Sequence, residues 1–188
     1  MFPKMDDFVP QFLDGKSVAL IGNALSLMSG SEYGELIDNH DVVVRFNNGY
    51  VRRETMSHSG EKCNIWVAAK KSHKIFNKWA IRWQHVPMWI YFWYEPYPYL
   101  PQINRFVVDP IYLRQIGRNI GVRPTTGFAF ITYCIEKTSP KYINLFGFDF
   151  FKTPSISSAR SSSACHNPTL ESKLVNDYLK TNKISIYL

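Results

Sequence analysis

The chemistry-bearing residues of this chain fall in five short polar turns: Gly22-Asn23, Arg45-Phe46-Asn47-Asn48, Arg123-Pro124-Thr125-Thr126-Gly127, Gly147-Phe148-Asp149 and Cys165-His166-Asn167-Pro168. Glycine lets a ligand approach the backbone closely, and an asparagine amide offers a nucleotide both donors and an acceptor. Arg45 and Arg123 carry positive charge suited to a phosphate or carboxylate. In 123–127, Pro124 keeps the approach extended, Thr126 is placed to cap, and Gly127 opens a helix. Hydroxyls, backbone N–H groups and a helix dipole would then meet at one anion-binding point. Asp149 can accept a hydrogen bond from a ligand hydroxyl or cap a neighbouring turn. His166 stands immediately before Asn167-Pro168, a helix start, where the positive end of the dipole disfavours an imidazolium. Of the five histidines it is the best general base. His40, His58 and His85 read as loop or strand-end residues without a partner in view.

These turns need a scaffold that brings them together, and the apolar segments before them supply one. Ser17 to Ile21 and Val42 to Val44 are short, β-branched and apolar, as central strands of a parallel sheet are. Cys63 to Ala68, Pro87 to Tyr94, Tyr142 to Phe146 and Lys183 to Leu188 read as further strands. Helices are expected over 32–39 with Leu36 and Ile37 inward, over 70–83, from Asp109 to Gly117, from Thr126 onward, and after Pro168. Residues before Lys16 carry Pro3 and Pro10 and read as an irregular lead-in, and 51–62 reads as a loop. The alternation predicts an α/β fold: a Rossmann-like, mainly parallel sheet flanked by helices, as a single domain over 1–188. In such sheets ligands bind beyond the carboxyl ends of the strands, so Gly22, Asn23, Arg45, Asn47, Gly147 and Asp149 should share one crevice. Capped helices and a structural ion pair at Arg45 are the plainer alternative.

Bulk properties narrow the function classes. Of the 188 residues, 45% are hydrophobic, enough for a real core and against disorder. The net charge of +7 suits an acidic substrate, an anionic membrane face or a nucleic acid. The lysines and arginines are scattered rather than clustered and no nucleic-acid module is legible, so a nucleic-acid partner is not expected. Three cysteines, Cys63, Cys134 and Cys165, lack CxxC or Cys/His spacing, which argues against a disulfide framework or a metal site. Without a signal pattern or an apolar run of the ~18 residues a span requires, a cytoplasmic location is expected. Peripheral contact with anionic lipid and homo-oligomers stay open. The tryptophans and phenylalanines of 87–94 read as core, whereas Tyr97 and Tyr99 fall in a proline-rich loop.

Taken together, GN-x-x-S-L at 22–27, VVRFN at 43–47, R-x-T-T-G at 123–127, G-F-D-F at 147–150 and the late His166 resemble the sialyltransferases. The likeness is nearest to the bacterial enzymes of glycosyltransferase family 42 and weaker to the eukaryotic family 29. It implies a variant A-type glycosyltransferase fold and an inverting transfer of an acidic sugar from a CMP-activated donor to a glycan or glycolipid hydroxyl. It further implies no metal and no cofactor, the CMP-sugar being a substrate. By position, Gly22, Asn23 and Asn47 would hold the CMP. Thr125, Thr126 and Gly127 would hold the donor phosphate, ribose or sugar carboxylate, with Arg123 beside them, and His166 would be the base. Sialic acid and Kdo are both activated through CMP, and a lipooligosaccharide or capsule glycan would be the product. The family 29 cysteine pairing is absent, with Val18 and Ala19 in the first strand, which agrees with a reducing compartment, and the tyrosine pair that steadies the leaving phosphate in the bacterial family is missing from Phe151 to Ala164. A nucleotide-binding module without catalysis is therefore the rival reading. A dinucleotide-binding oxidoreductase is remote, because the first turn lacks G-x-G-x-x-G.

Overall fold

Ser17–Ile21 (β1) is buried along its whole length, as a strand covered on both faces must be. The computed structural model describes residues 5–49, 53–69, 78, 80–92, 105–156, 165–180 and 183–188. Around β1 it builds one seven-stranded sheet with Val42–Phe46 (β2), Ile65–Ala69 (β3), Met88–Phe92 (β4), Arg105–Val107 (β5), Tyr142–Phe146 (β6) and Ile184–Tyr187 (β7). The order is β5-β4-β3-β2-β1-β6-β7 and every pairing is parallel. The chain runs outward from β1 to β5 on one side, then returns to place β6 on the other. β1 and β6 therefore flank the topological switch point, where a crevice opens beyond the strand ends.

Strand alternation sorts the side chains onto two faces. Val18, Leu20, Val42, Val44, Phe46, Ile65, Val67, Ile143 and Leu145 face the larger core. Over them lie Met5–Leu13 (α1), Pro110–Ile120 (α4), Thr126–Lys137 (α5) and Pro168–Leu179 (α6), which contribute Met5, Val9, Leu13, Leu113, Ile116, Phe130 and Val175. Each such aliphatic side chain stabilises the fold by ~1.5–3 kcal/mol when fully buried. The opposite face presents Ala19, Ile21, Val43 and Phe146 to Leu27 and Ile37, and carries a tryptophan cluster of Trp66, Trp83 and Trp89. Gly34–Asp38 (α2) and Met56–Ser59 (α3) cover that side.

Several elements differ from the sequence reading. The lead-in is helical: Met5, Val9 and Leu13 repeat at i, i+4, i+8 and are buried, and Asp6 and Asp7 suit the positive first turn. Pro10 removes only one helical hydrogen bond and does not break so short an element. Strand β2 runs two residues further than Val44, which makes Arg45 a strand residue, and β3 begins at Ile65 rather than Cys63. Segment 53–59 is a 3-10 turn followed by one α turn instead of loop. Ile37 is buried as expected, but Leu36 is 42% exposed. Tyr97, Tyr99, Trp93, residues 70–77 and Trp79 of the expected helix, and the serine-rich 157–164 lie outside the described residues. Among the described residues, no helix is long and apolar enough to cross a membrane.

Candidate active site

Two helices begin at the carboxyl edge of the sheet on the larger-core side, and their starts are tied to each other. Thr125, not Thr126, is the N-cap of α5: its Oγ1 accepts from the Phe128 N–H at 3.1 Å. Asn167 caps α6 by accepting from the Leu170 N–H at 3.2 Å, with Pro168 at the first helical position. Glu171, one turn into α6, accepts from the Thr125 N–H at 2.8 Å through Oε1 and from the Thr125 hydroxyl at 2.7 Å through Oε2. Burial raises its carboxyl above the ordinary value, while the two Thr125 donors pull the other way.

His166 is joined to the same place. Its Nδ1 lies 2.8 Å from the Arg123 carbonyl. A carbonyl only accepts, so Nδ1 carries the hydrogen, which in the neutral ring leaves the lone pair on Nε2. The Phe151 ring stacks beside the imidazole, with centroids 6.5 Å apart and planes 12° from parallel. Phe150 and Phe151 both have left-handed backbone, φ 55° and 63°, a conformation that costs a non-glycine residue roughly 1–2 kcal/mol.

The first turn belongs to this rim as well. The Gly22 N–H donates to the Phe146 carbonyl at 2.7 Å, and the Ala24 N–H to the Gly147 carbonyl at 3.2 Å, so β1 and β6 leave the sheet together. A Cβ on Gly22 would collide with the Gly147 carbonyl and come within 3.1 Å of the Phe148 ring. A Cβ on Gly127 would lie 2.6 Å from the same ring. Phe148 thus sits between Gly22 and Gly127 and meets Phe46 edge-on at 5.8 Å. The smallness of both glycines is used by the protein's own packing, a different reason from the close ligand approach that the sequence suggests.

The asparagines lie on the neighbouring stretch of rim. The Asn23 Nδ2 donates to the Phe46 carbonyl at 3.0 Å, holding the end of β2 against the first turn. Asn47 has φ 50°, which asparagine tolerates better than most residues. Its Oδ1 accepts from the Ala69 N–H at 2.8 Å and its carbonyl from the Trp66 indole at 2.7 Å, so it ties β2 to β3.

Two expected site residues are engaged elsewhere. Arg45 points to the opposite face, is 1% exposed, and donates to the carbonyls of Lys62 (2.9 Å) and Ser59 (2.7 Å). Alternation explains this, since within the longer β2 Phe46 takes the site face and Arg45 must take the other. Asp149 is 4% exposed, and its Oδ2 accepts from the Thr153 N–H (2.9 Å), the Thr153 hydroxyl and the Ser26 hydroxyl (3.1 Å). It organises the loop after β6, the turn-capping alternative. Gly147, at φ 65°, opens that loop. His40 is not a loose loop residue either: its Nδ1–H donates to the Leu36 carbonyl (2.8 Å) and its Nε2 accepts from Asn144 (2.9 Å). Glu171, Phe148 and Phe151 join this rim without being singled out by the sequence motifs. For Glu171 a signal existed, because it falls on the apolar stripe of Leu174, Val175 and Tyr178. Among the described residues no group of three His, Cys, Asp or Glu could hold a metal ion.

Residues 10–86 match the model of glycosyltransferase family 29 (sialyltransferase), whereas the motifs of the sequence lean toward family 42. No curated protein matches the chain. Among solved structures, a mammalian sialyltransferase in complex with Gal-beta-1-3GalNAc-ortho-nitrophenol is 17% identical, with TM-score 0.63 over 92% of this chain and 69% of that one. A second mammalian sialyltransferase structure gives 18% identity and TM-score 0.64 with the same coverage. The chain is thus sialyltransferase-like, in sequence over residues 10–86 and in fold over nearly its whole length.

Proposed function

We propose that the chain transfers sialic acid, or a related acidic keto-sugar, from a CMP-activated donor to a glycan hydroxyl with inversion. The observation that carries this reading is the set of three hydrogen bonds joining 123–127 to 166–171 at the switch-point edge of a sialyltransferase-like fold. Two helix N-termini and the exposed Arg123 supply positive potential for the donor's phosphate and carboxylate. Gly22, Asn23, Asn47 and Gly147 form the adjoining wall for the nucleotide, with Thr126 and Gly127 at the start of α5. His166 Nε2 takes the proton from the acceptor hydroxyl, whose oxygen attacks the anomeric carbon. The bond from that carbon to the phosphate oxygen breaks, and CMP departs with the electron pair. This proposal requires neither a divalent ion nor a cofactor. The acceptor would belong to a cell-surface glycan of the lipooligosaccharide or capsule type, made at the cytoplasmic side of a membrane whose anionic lipids hold the basic chain weakly.

The test is incubation with CMP-sialic acid, and separately CMP-Kdo, with galactoside acceptors, following CMP release and product. Turnover that disappears in His166→Ala while CMP still binds supports the reading. Tight CMP binding with no turnover of either donor establishes the non-catalytic module instead, and absence of CMP binding overturns both.

A further inference from the structure

The loop after β6 holds two successive bulky residues in left-handed backbone, Phe150 at φ 55° and Phe151 at φ 63°. Such residues crowd their own backbone there, and persist only where the surroundings hold them. The surroundings here are identifiable. Asp149 gathers the Thr153 N–H, the Thr153 hydroxyl and the Ser26 hydroxyl on one oxygen, and Phe150 packs against the larger core. What this arrangement delivers is the Phe151 ring against the imidazole of His166, in the offset-stacked range for aromatic pairs.

We propose that Phe151 is a positioning residue for His166, an assignment that rests on reading His166 as the base. The Arg123 carbonyl holds Nδ1, but one hydrogen bond leaves an imidazole free to rock about its axis. A phenyl face alongside removes that rotation, so Nε2 keeps one direction. Orientation of this kind raises the rate of the chemical step and leaves ground-state binding of the donor unchanged. The chain of contacts also reaches the first turn, since Ser26 anchors Asp149 and Asp149 shapes the loop that carries Phe151.

The experiment compares Phe151→Gly and Phe151→Tyr with the unaltered chain. Glycine suits the φ of this position, so its melting temperature should be equal or higher, while kcat with CMP-sialic acid falls at least tenfold and the donor KM stays within twofold. Tyrosine keeps the ring and should retain kcat within about threefold. A Gly variant with kcat within twofold of the original, or a Tyr variant no better than Gly, overturns the proposal. Ring nitrogen-15 NMR of His166 provides a readout independent of turnover. Relaxation of the ring nitrogens should be that of a fixed imidazole in the original chain and of a rocking one in Phe151→Gly, and equal relaxation in both overturns the proposal. Inactivity of the unaltered chain with CMP donors would count against the transferase reading alone and leave the NMR comparison decisive for Phe151.

Discussion

Glu171 accepts both the N–H and the hydroxyl of Thr125, 46 positions earlier in the chain, with its carboxyl almost fully buried. Through this pair the starts of α5 and α6 are held as one piece, and His166 is carried to Arg123 on the same support. The relationship makes the rim a property of two distant segments and not of either alone.

Replacing Glu171 by Ala leaves two partly buried donors of Thr125 without their carboxylate, and should cost about 1–3 kcal/mol in urea unfolding. A Thr125→Val change removes one of those donors and the N-cap of α5, costing about 1–2 kcal/mol. Because the two residues touch, the double variant should fall short of additivity by about 1 kcal/mol or more. Strict additivity would refute the coupling.

Glu171 also predicts a pH dependence. Its folded carboxyl titrates above the ordinary value of 4.5 because burial disfavours the ion. The folded state therefore binds the proton more tightly than the unfolded state. The stability of its protonated form is fully present below 4.5 and is lost as pH rises through the folded value. Glu171→Gln cannot ionise, so wild type should lose stability relative to Gln across that rise. Parallel stability curves for the two proteins from pH 4 to 7 would contradict this.

Arg45 should behave as a structural residue. Arg45→Ala strands the carbonyls of Ser59 and Lys62 in a buried place and should cost about 2–4 kcal/mol. CMP binding, measured by calorimetry well below the variant's melting temperature, should stay within twofold. A large loss of CMP affinity with stability unchanged would return Arg45 to the nucleotide site.

The two rim glycines should differ in tolerance. Gly22→Ala pushes a methyl into the Gly147 backbone, which cannot yield without separating β1 from β6, so a loss of about 3 kcal/mol or more is expected. Gly127→Ala meets only the edge of the Phe148 ring, which can turn, and should cost less than half as much. Equal thermal shifts for the two would show that the switch-point contact is not the tighter one.

His166→Ala should lower the transfer rate by about 10²–10⁴, the usual contribution of a positioned base, with little change in melting temperature. A rate within threefold of the original would remove His166 from the chemistry.

Much of the fold is legible in the chain itself. Short, mostly apolar runs such as 17–21 and 142–146 that stop at polar turns read as strands covered on both faces, and each turn after them marks a carboxyl end. Caps are equally local: Asp109 and Asn167, each followed by proline, start helices as written. Those signals sufficed to place Gly22, Asn47, Gly127 and His166 on one edge, because a parallel sheet sends its strand ends one way and the helices that lead into the next strands start there. Tertiary structure alone decided which face each side chain took and what it met there. Two further residues in β2 turned Arg45 away from the rim. Three donors from elsewhere drew Asp149 into its own loop. Phe148 filled the space beside Gly22 and Gly127, and Glu171 and Phe151 reached their partners across the chain. Such outcomes depend on side-chain contacts between distant segments, and no local pattern of polarity or spacing encodes them.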